Sequence, residues 1–446
     1  MSKLTETLSG LRQFLAGLHP AKIAFFGYST YMILGWLLLC LPFSQKGAGV
    51  GALDNLFIAV SALSTTGLAT VSVSDSYSFF GQLVVLILIQ LGGVGYMTLG
   101  SFVILSRKSD LSELRSKVGQ TVFSLPTSFR IDKFIRSVVV FTFLIELVGI
   151  IPLYFIFREA GDPSPAWSAA FHSISAFCTA GFSLYNNSFE SYAGHFWLNS
   201  VVGALSFLGA IGFIVFVDIW RKVRGKVRTV TLTSRIILWA SFWLILGGTI
   251  LLFIAEPSIR ERPTDERLLT AFFQAMTAMT TVGFNTIPIA ELSRASVLLV
   301  IVLMVIGASP SGTGGGVKCT ALSAILGVMR SAIRGEKDVR FWGRQVPLER
   351  VWMGVASVGF YLVFLVIGTY LLEMTESTPF DKNLFEAASA LGTVGLSMGI
   401  TPELTNIGKV IITGLMFLGR LGPLTFGIAL FCAPGAEDIQ DNDLAV

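Results

Sequence analysis

The chain is 446 residues long, 53% hydrophobic and only 13% charged, with 32 Lys and Arg against 28 Asp and Glu and a net charge of +4. A soluble chain of this length would carry about a quarter charged residues and divide into two to four domains. Here the apolar residues form continuous runs, such as Ile23–Phe43 and Val351–Leu372, each close to the roughly 20 residues that cross a hydrocarbon core, and that excludes a soluble fold.

Residues 1–21 read as a cytoplasmic segment: Leu4–Leu18 is weakly amphipathic and lacks the apolar stretch of a cleavable signal. The chain then reads as one unit four times. Repeat 1 (22–120) predicts a long apolar helix at 22–43, a short segment at 54–64 and a second long helix at 80–106. Repeat 2 (121–228) predicts the same elements at 136–157, 166–178 and 196–220. Repeat 3 (229–345) predicts them at 235–255, 267–280 and 296–331, and repeat 4 (346–432) at 351–373, 382–392 and 408–432, before a cytoplasmic tail at 433–446. The middle segments are too short to cross a bilayer, so each is expected to enter it as a half-helix and return as extended chain. The fold class is therefore an all-α polytopic membrane protein, with four helix–pore-helix–helix repeats around a central pore and eight membrane-spanning helices.

Each middle segment ends in the same pattern. Gly67, Gly181, Gly283 and Gly395 recur at intervals of about a hundred residues, too long for a solenoid repeat. Two residues before each stands Thr65, Thr179, Thr281 or Thr393; five before stands Ala62, Ala176, Ala278 or Ala390; ten before stands Phe57, Phe171, Phe273 or Phe385. The intervening residues are Thr66, Ala180, Val282 and Val394, and a large apolar residue follows each glycine: Leu68, Phe182, Phe284 and Leu396. Asp54, Asp162, Asp265 and Asp381 suit the starts of the half-helices, whose C-terminal ends would face the membrane centre and favour a cation. Glycine supplies a backbone conformation closed to other residues, and four rings of backbone and hydroxyl oxygen can replace the hydration shell of a monovalent cation.

The basic residues cluster between repeats, as in Arg107, Lys108, Arg115, Lys117, Arg130, Lys133 and Arg136, or Arg221, Lys222, Arg224, Lys226, Arg228 and Arg235. These short loops between membrane helices place the junctions and both termini in the cytoplasm, and no nucleic-acid partner is expected. Cys40, Cys178, Cys319 and Cys432 have neither disulfide nor zinc spacing.

The copies differ on their inner side. The second helices carry Leu91–Gly95 (LGGVG), Leu208–Gly212 (LGAIG) and Leu418–Gly422 (LGRLG), whereas the third breaks after Gly307 into a loop holding Gly312, Thr313, Gly314, Gly315 and Gly316. Proline and five glycines in this stretch cannot continue a helix, so residues 307–316 are expected to form an intramembrane gate below the filter. A phosphate-binding loop does not fit, since Val317 precedes Lys318 and Cys319 follows it. Arg420 replaces Gly93, Ala210 and Ala308 of the other copies, and an intramembrane charge is costly and usually functional. Glu146 is read as a helix-packing hydrogen-bond group, and His172 as a packing residue of the second half-helix.

These residues resemble the membrane subunits of bacterial Ktr/Trk potassium uptake systems, nearer the KtrB type than TrkH. The resemblance rests on Phe385–Met398 (FEAASALGTVGLSM), Thr401–Leu404 (TPEL), Phe417–Phe426 (FLGRLGPLTF), Phe177–Leu184 (FCTAGFSL), Thr281–Asn285 (TVGFN) and the loop at 307–318. It implies K⁺ as the ion, the four Thr-x-Gly stretches as the selectivity filter, 307–316 as the gating loop with Arg420 as its partner, and the bacterial inner membrane as the location. It further implies a homodimer docked on a cytosolic octameric ring of KtrA type, with ATP and ADP bound by that ring, and no cofactor on this chain. Many such subunits are activated by Na⁺, a property that no residue here decides. The first filter departs by its Ser64-Thr65-Thr66-Gly67 and the second by Cys178 and Ala180, and single glycines predict weaker K⁺-over-Na⁺ discrimination than a doubled-glycine filter. A cation-coupled symporter of K⁺ or Na⁺ is the alternative, which four equivalent strands disfavour. An intramembrane enzyme would need paired catalytic groups, and Glu146 and Arg420 stand alone.

Overall fold

The computed structural model of the protein describes residues 20–47, 49–95, 131–225, 227–336 and 338–422. The predicted N-terminal segment up to residue 19, the basic junction at 107–130, the C-terminal tail and the predicted ends of the second helices of repeats 1 and 4 lie outside the described residues.

The described residues form fourteen α-helices of more than two turns. They are α1 (Pro20–Leu39), α2 (Ala52–Leu63) and α3 (Phe79–Val94), then α4 (Ile131–Glu159), α5 (Pro165–Phe177), α6 (Phe196–Ala210) and α7 (Phe213–Val223). Next come α8 (Leu232–Ala255), α9 (Thr264–Thr280), α10 (Arg294–Val305) and α11 (Cys319–Arg334), and finally α12 (Leu348–Thr375), α13 (Phe380–Gly392) and α14 (Asn406–Leu421). A two-stranded hairpin, Arg340–Phe341 with Arg344–Gln345, joins α11 to α12. Local chemistry sets the helix starts: Ser78, His195, Ser293 and Thr405 each accept a backbone N–H in the first turn of α3, α6, α10 and α14. Asp54, Asp265 and Asp381 lie in first turns as expected. Asp162 instead precedes α5, where its carboxylate accepts from the Ser164 N–H at 2.6 Å and the Tyr185 hydroxyl at 2.5 Å.

Among the described residues, Phe134–Glu159, Leu232–Ala255 and Leu348–Thr375 are long and apolar enough to cross a membrane. Their outer faces, with Phe143, Leu147 and Ile151 on α4 and Val363, Val366 and Tyr370 on α12, are exposed. The half-helices α2, α5, α9 and α13 are the interior, and their repeated Phe and Ala residues are fully buried. Small residues allow close approach there, the usual device where lipid gives no hydrophobic drive for helix association.

The second helix of each unit packs on the half-helix of the next: α3 on α5, α6 on α9, α10 on α13, and α14 back on α2. The last step closes a ring. It is fastened at its rim by Lys409 of α14, whose ammonium lies 2.7 Å from the Asp54 carboxylate of α2, the two side chains being 14% and 21% exposed.

One expectation fails. The segment at 196–220 is not a continuous helix, because α6 and α7 meet at a 92° bend. Gly212 stands at the corner with φ +90°, and Gly95 and Gly422 end α3 and α14 with φ +88° and +82°. Among the described residues the second and third copies are interrupted, so a break is not special to the third.

Lys409→Met should leave the Asp54 carboxylate without its ion partner and destabilise the detergent-solubilised protein by about 1–3 kcal/mol, between exposed and buried pairs. Adding Asp54→Asn should recover part of that loss, read as thermal unfolding in a double-mutant cycle.

Candidate functional site: four Thr-x-Gly segments in one ring

Each half-helix ends in the same cap. Thr65, Thr179, Thr281 and Thr393 adopt the left-handed conformation with φ of 54°, 51°, 57° and 49°. The N–H of each threonine bonds back to the conserved alanine carbonyl, and the next N–H bonds one residue further back: Thr65 to Ala62 and Thr66 to Ser61 in the first copy, Thr393 to Ala390 and Val394 to Ser389 in the fourth. This is the Schellman arrangement, normally completed by glycine. Special backbone geometry therefore falls on the threonine as well as the glycine, a point the sequence reading assigned to glycine alone.

The capped chain turns the next segment toward a common centre. Gly67, Gly181, Gly283 and Gly395 also have positive φ. A Cβ placed on Gly67 would overlap the Ala180 carbonyl oxygen, on Gly181 that of Val282, on Gly283 that of Val394, and on Gly395 that of Thr66. The four segments therefore touch in cyclic order, each glycine against the carbonyl of the residue before the next glycine. No donor among the described residues reaches the carbonyls of Thr66, Ala180, Val282 or Val394. Buried carbonyls are almost always paired, so four donorless ones facing one axis form an array that suits a bare cation.

A single loop lies directly beneath. Thr313 Oγ1 is 3.0 Å from Thr179 Oγ1, the Thr65 hydroxyl lies 3.3 Å from the Thr313 carbonyl, and the Gly315 N–H donates to Thr281 Oγ1 at 3.2 Å. A Cβ on Gly315 would overlap Thr393 Oγ1. Residues 312–315 thus meet all four threonines and close the inner side of the ring. Gly316, with φ +72°, packs on Gly307 where the two ends of the loop meet. Arg420 donates to the Thr313 and Gly92 carbonyls and to Thr65 Oγ1 at 3.0 Å. It joins the fourth unit to the loop and to the first unit.

The same loop explains the bend at Gly212. Ser309 and Thr313 N–H groups bond to the Ala210 and Gly209 carbonyls at 3.1 Å each, while the Phe213 and Ile214 N–H groups bond to Ser311 O and Oγ at 3.3 and 3.1 Å. The loop satisfies the open end of α6 and the open start of α7, groups that a straight helix would have paired internally.

A family model for the TrkH cation transport protein matches residues 35–435. The chain belongs to that family. It is similar to the Ktr system potassium uptake protein B of Bacillus subtilis, with 35% identity over 91% of this chain and 92% of that one. It is also similar to the potassium/sodium uptake protein NtpJ of Enterococcus hirae, with 32% identity over 93% of each. The solved structure of the potassium transporter TrkH from Vibrio parahaemolyticus shares the fold, with a TM-score of 0.71 and 18% identity over 92% of this chain and 86% of that one. The family is one of multi-pass membrane transport proteins and not of enzymes.

Above the ring a cavity of about 380 Å³ touches all four glycines, with Ser72, Ser183, Asn186 and Asn285 in its wall. Hydrogen bonds from Asn186 and Ser72 hold the Asp75 carboxyl below the usual carboxylate range, which keeps a negative charge behind Asn186.

Several supporting residues escaped the sequence reading. Ser61, Ser175, Thr277 and Ser389 precede the conserved alanines, and the same four-copy comparison shows a hydroxyl at that position every time. Ser61 donates to the Leu68 carbonyl at 2.6 Å and accepts from the Gly67 N–H at 3.1 Å, Ser175 donates to the Phe182 carbonyl at 2.8 Å, and Ser389 accepts from the Gly395 N–H at 3.0 Å. Thr277 Oγ1 is buried without a partner. Glu386 accepts from the Ser397 hydroxyl at 2.9 Å and from Thr401, while His172, at the matching position of the second unit, lies 3.0 Å from Ser183 Oγ. Both brace the outer end of their segments, and His172 is packed inside the second unit. Glu146 accepts from Gln90 at 3.0 and 3.2 Å, the packing role read from sequence.

Ser389→Ala leaves the Gly395 N–H without its acceptor and should cost about 1–3 kcal/mol, whereas the near-isosteric Thr277→Val removes no bond and should cost less. Thermal unfolding of the two variants in detergent, with cation flux beside it, checks the contrast.

Proposed function

We propose that this chain is the permeation subunit of a bacterial potassium uptake system, passing K⁺ down its electrochemical gradient through the ring. The observation that carries the reading is the closed cycle of four glycines, each seated on a carbonyl that no donor among the described residues reaches. The names of the relatives support K⁺ as the ion, and that of NtpJ adds Na⁺.

On this reading Thr65–Leu68, Thr179–Phe182, Thr281–Phe284 and Thr393–Leu396 form the selectivity filter, and the four units are helix–pore-helix–helix repeats contributing eight spans. The termini and basic junctions face the cytoplasm of an inner-membrane protein. Residues 312–316 with Arg420 are the gate. It is moved by a cytosolic nucleotide-binding ring that carries ATP or ADP and docks on a homodimer of this chain. Transport needs no ATP at this chain: a membrane potential supplies about 2.3 kcal/mol per charge per 100 mV, enough to concentrate K⁺ about fiftyfold.

Expressed with its regulator in a bacterium lacking K⁺ uptake, the chain should restore growth at low K⁺, and Gly283→Ser, whose Cβ would strike the Val394 carbonyl, should not. Absence of rescue by wild-type protein that reaches the membrane would remove the reading. Arg420→Gln removes charge-assisted bonds worth about 1.5–3 kcal/mol each, and should raise flux without the regulator by roughly ten- to a hundredfold. An unchanged rate and unchanged regulation would show that Arg420 only braces the fold.

A further inference from the structure

Lys318 stands where neither stability nor helix chemistry explains it. It is the N-cap residue of α11, with no side-chain cap bond, a position that favours Ser, Thr, Asp or Asn. It also brings a positive charge to the positive end of a helix. No carboxylate among the described residues pairs with it. Its ammonium turns back into the loop, donating to the Gly314 carbonyl at 2.7 Å and lying 3.5 Å from that of Gly315.

Those two residues are the ones beneath the third and fourth strands of the ring. A Cβ on Gly314 would meet Thr281 Oγ1 and the Thr280 carbonyl, and a Cβ on Gly315 would meet Thr393 Oγ1 and the Gly392 carbonyl. Thr393 Oγ1 is itself buried and without a partner. Two loop carbonyls therefore meet one ammonium, and the unpartnered Thr393 hydroxyl lies on the other side of Gly315, outside the reach of that ammonium. A primary ammonium and K⁺ are both monovalent and close in radius, so an oxygen cradle that holds one suits the other.

We propose that the Gly314 and Gly315 carbonyls form a monovalent-cation site at the inner face of the ring, occupied in this closed state by Lys318 as a tethered cation. The inference rests on the permeation reading and adds to it a site and a competitor. Opening exchanges cations: Lys318 withdraws, and the permeating ion takes the same oxygens. Arg420 acts on the neighbouring Thr313 carbonyl, so three successive loop carbonyls are held by two side-chain cations. Arg420 ties the loop to other units, whereas Lys318 belongs to the loop's own helix and fills the cradle.

The test is ⁸⁶Rb⁺ flux into proteoliposomes holding the full-length chain without its regulator, normalised to protein inserted. Lys318→Ala and Lys318→Met should each raise flux per molecule at least fivefold over wild type. Propylammonium replaces the side-chain atoms that Lys318→Ala removes; added on both sides, it should block that variant and leave wild type unchanged. Flux per molecule at or below wild type in both variants, or flux in Lys318→Ala that propylammonium does not lower, would overturn the inference. Wild-type chain with its regulator carrying no flux would instead bring down the permeation reading itself.

Discussion

The structure depends on the contact between each Thr-x-Gly glycine and the carbonyl of the neighbouring segment. That contact leaves no room for a Cβ at Gly67, Gly181, Gly283 or Gly395, and it is met only if every segment leaves its half-helix in the same direction. The left-handed threonines set that direction. A β-branched residue held there costs of the order of 1–3 kcal/mol, so four amount to a sizeable share of a typical net stability of about 5–15 kcal/mol. Such strain persists only where the surroundings over-determine it. Here they do so by Schellman bonds in all four copies, serine hydroxyls in three, and packing of each unit on the next.

Below the ring the symmetry stops, for a reason that is also geometric. An interrupted helix exposes carbonyls at one end and N–H groups at the other. In the second unit these are taken up by Ser309, Ser311 and Thr313 of the third unit's loop. The long loop and the bend at Gly212 are therefore one feature, each supplying partners the other lacks. Because Thr313 also touches Thr65 and Thr179, a movement of α7 relative to α6 acts on the loop that covers the ring.

The sequence made the outer half of this design readable and the inner half only partly so. Phe, Ala, Thr and Gly at fixed offsets reveal the units because the Phe, Ala and Thr positions are buried in every copy and each Gly makes the same contact with the next segment. The hydroxyl residue before each alanine, serine in three copies and Thr277 in the third, obeys the same rule and is legible by the same comparison, although such a residue at a helix end is ordinary. The bend at Gly212 was not legible, since LGAIG is compatible with a continuous helix and the loop partner lies about a hundred residues away. Lys318 was seen only as part of a phosphate-loop motif that did not fit. Its partners are backbone carbonyls, and backbone partners leave no trace in side-chain identity.

Donorless carbonyls can be stabilised by a cation, whether that cation is mobile or attached to the chain. The upper ring presents Thr66, Ala180, Val282 and Val394 carbonyls that no donor among the described residues holds, an array that suits a mobile ion. The lower loop presents carbonyls of the same kind, but Arg420 and Lys318 already hold them. A closed state built this way avoids the cost of burying bare acceptors beneath the ring. On the proposed permeation reading it also gives the arriving ion a place to go once a side chain leaves. Four equivalent segments cannot supply that exchange without moving together and spoiling their mutual packing. A cationic side chain present in one copy alone can.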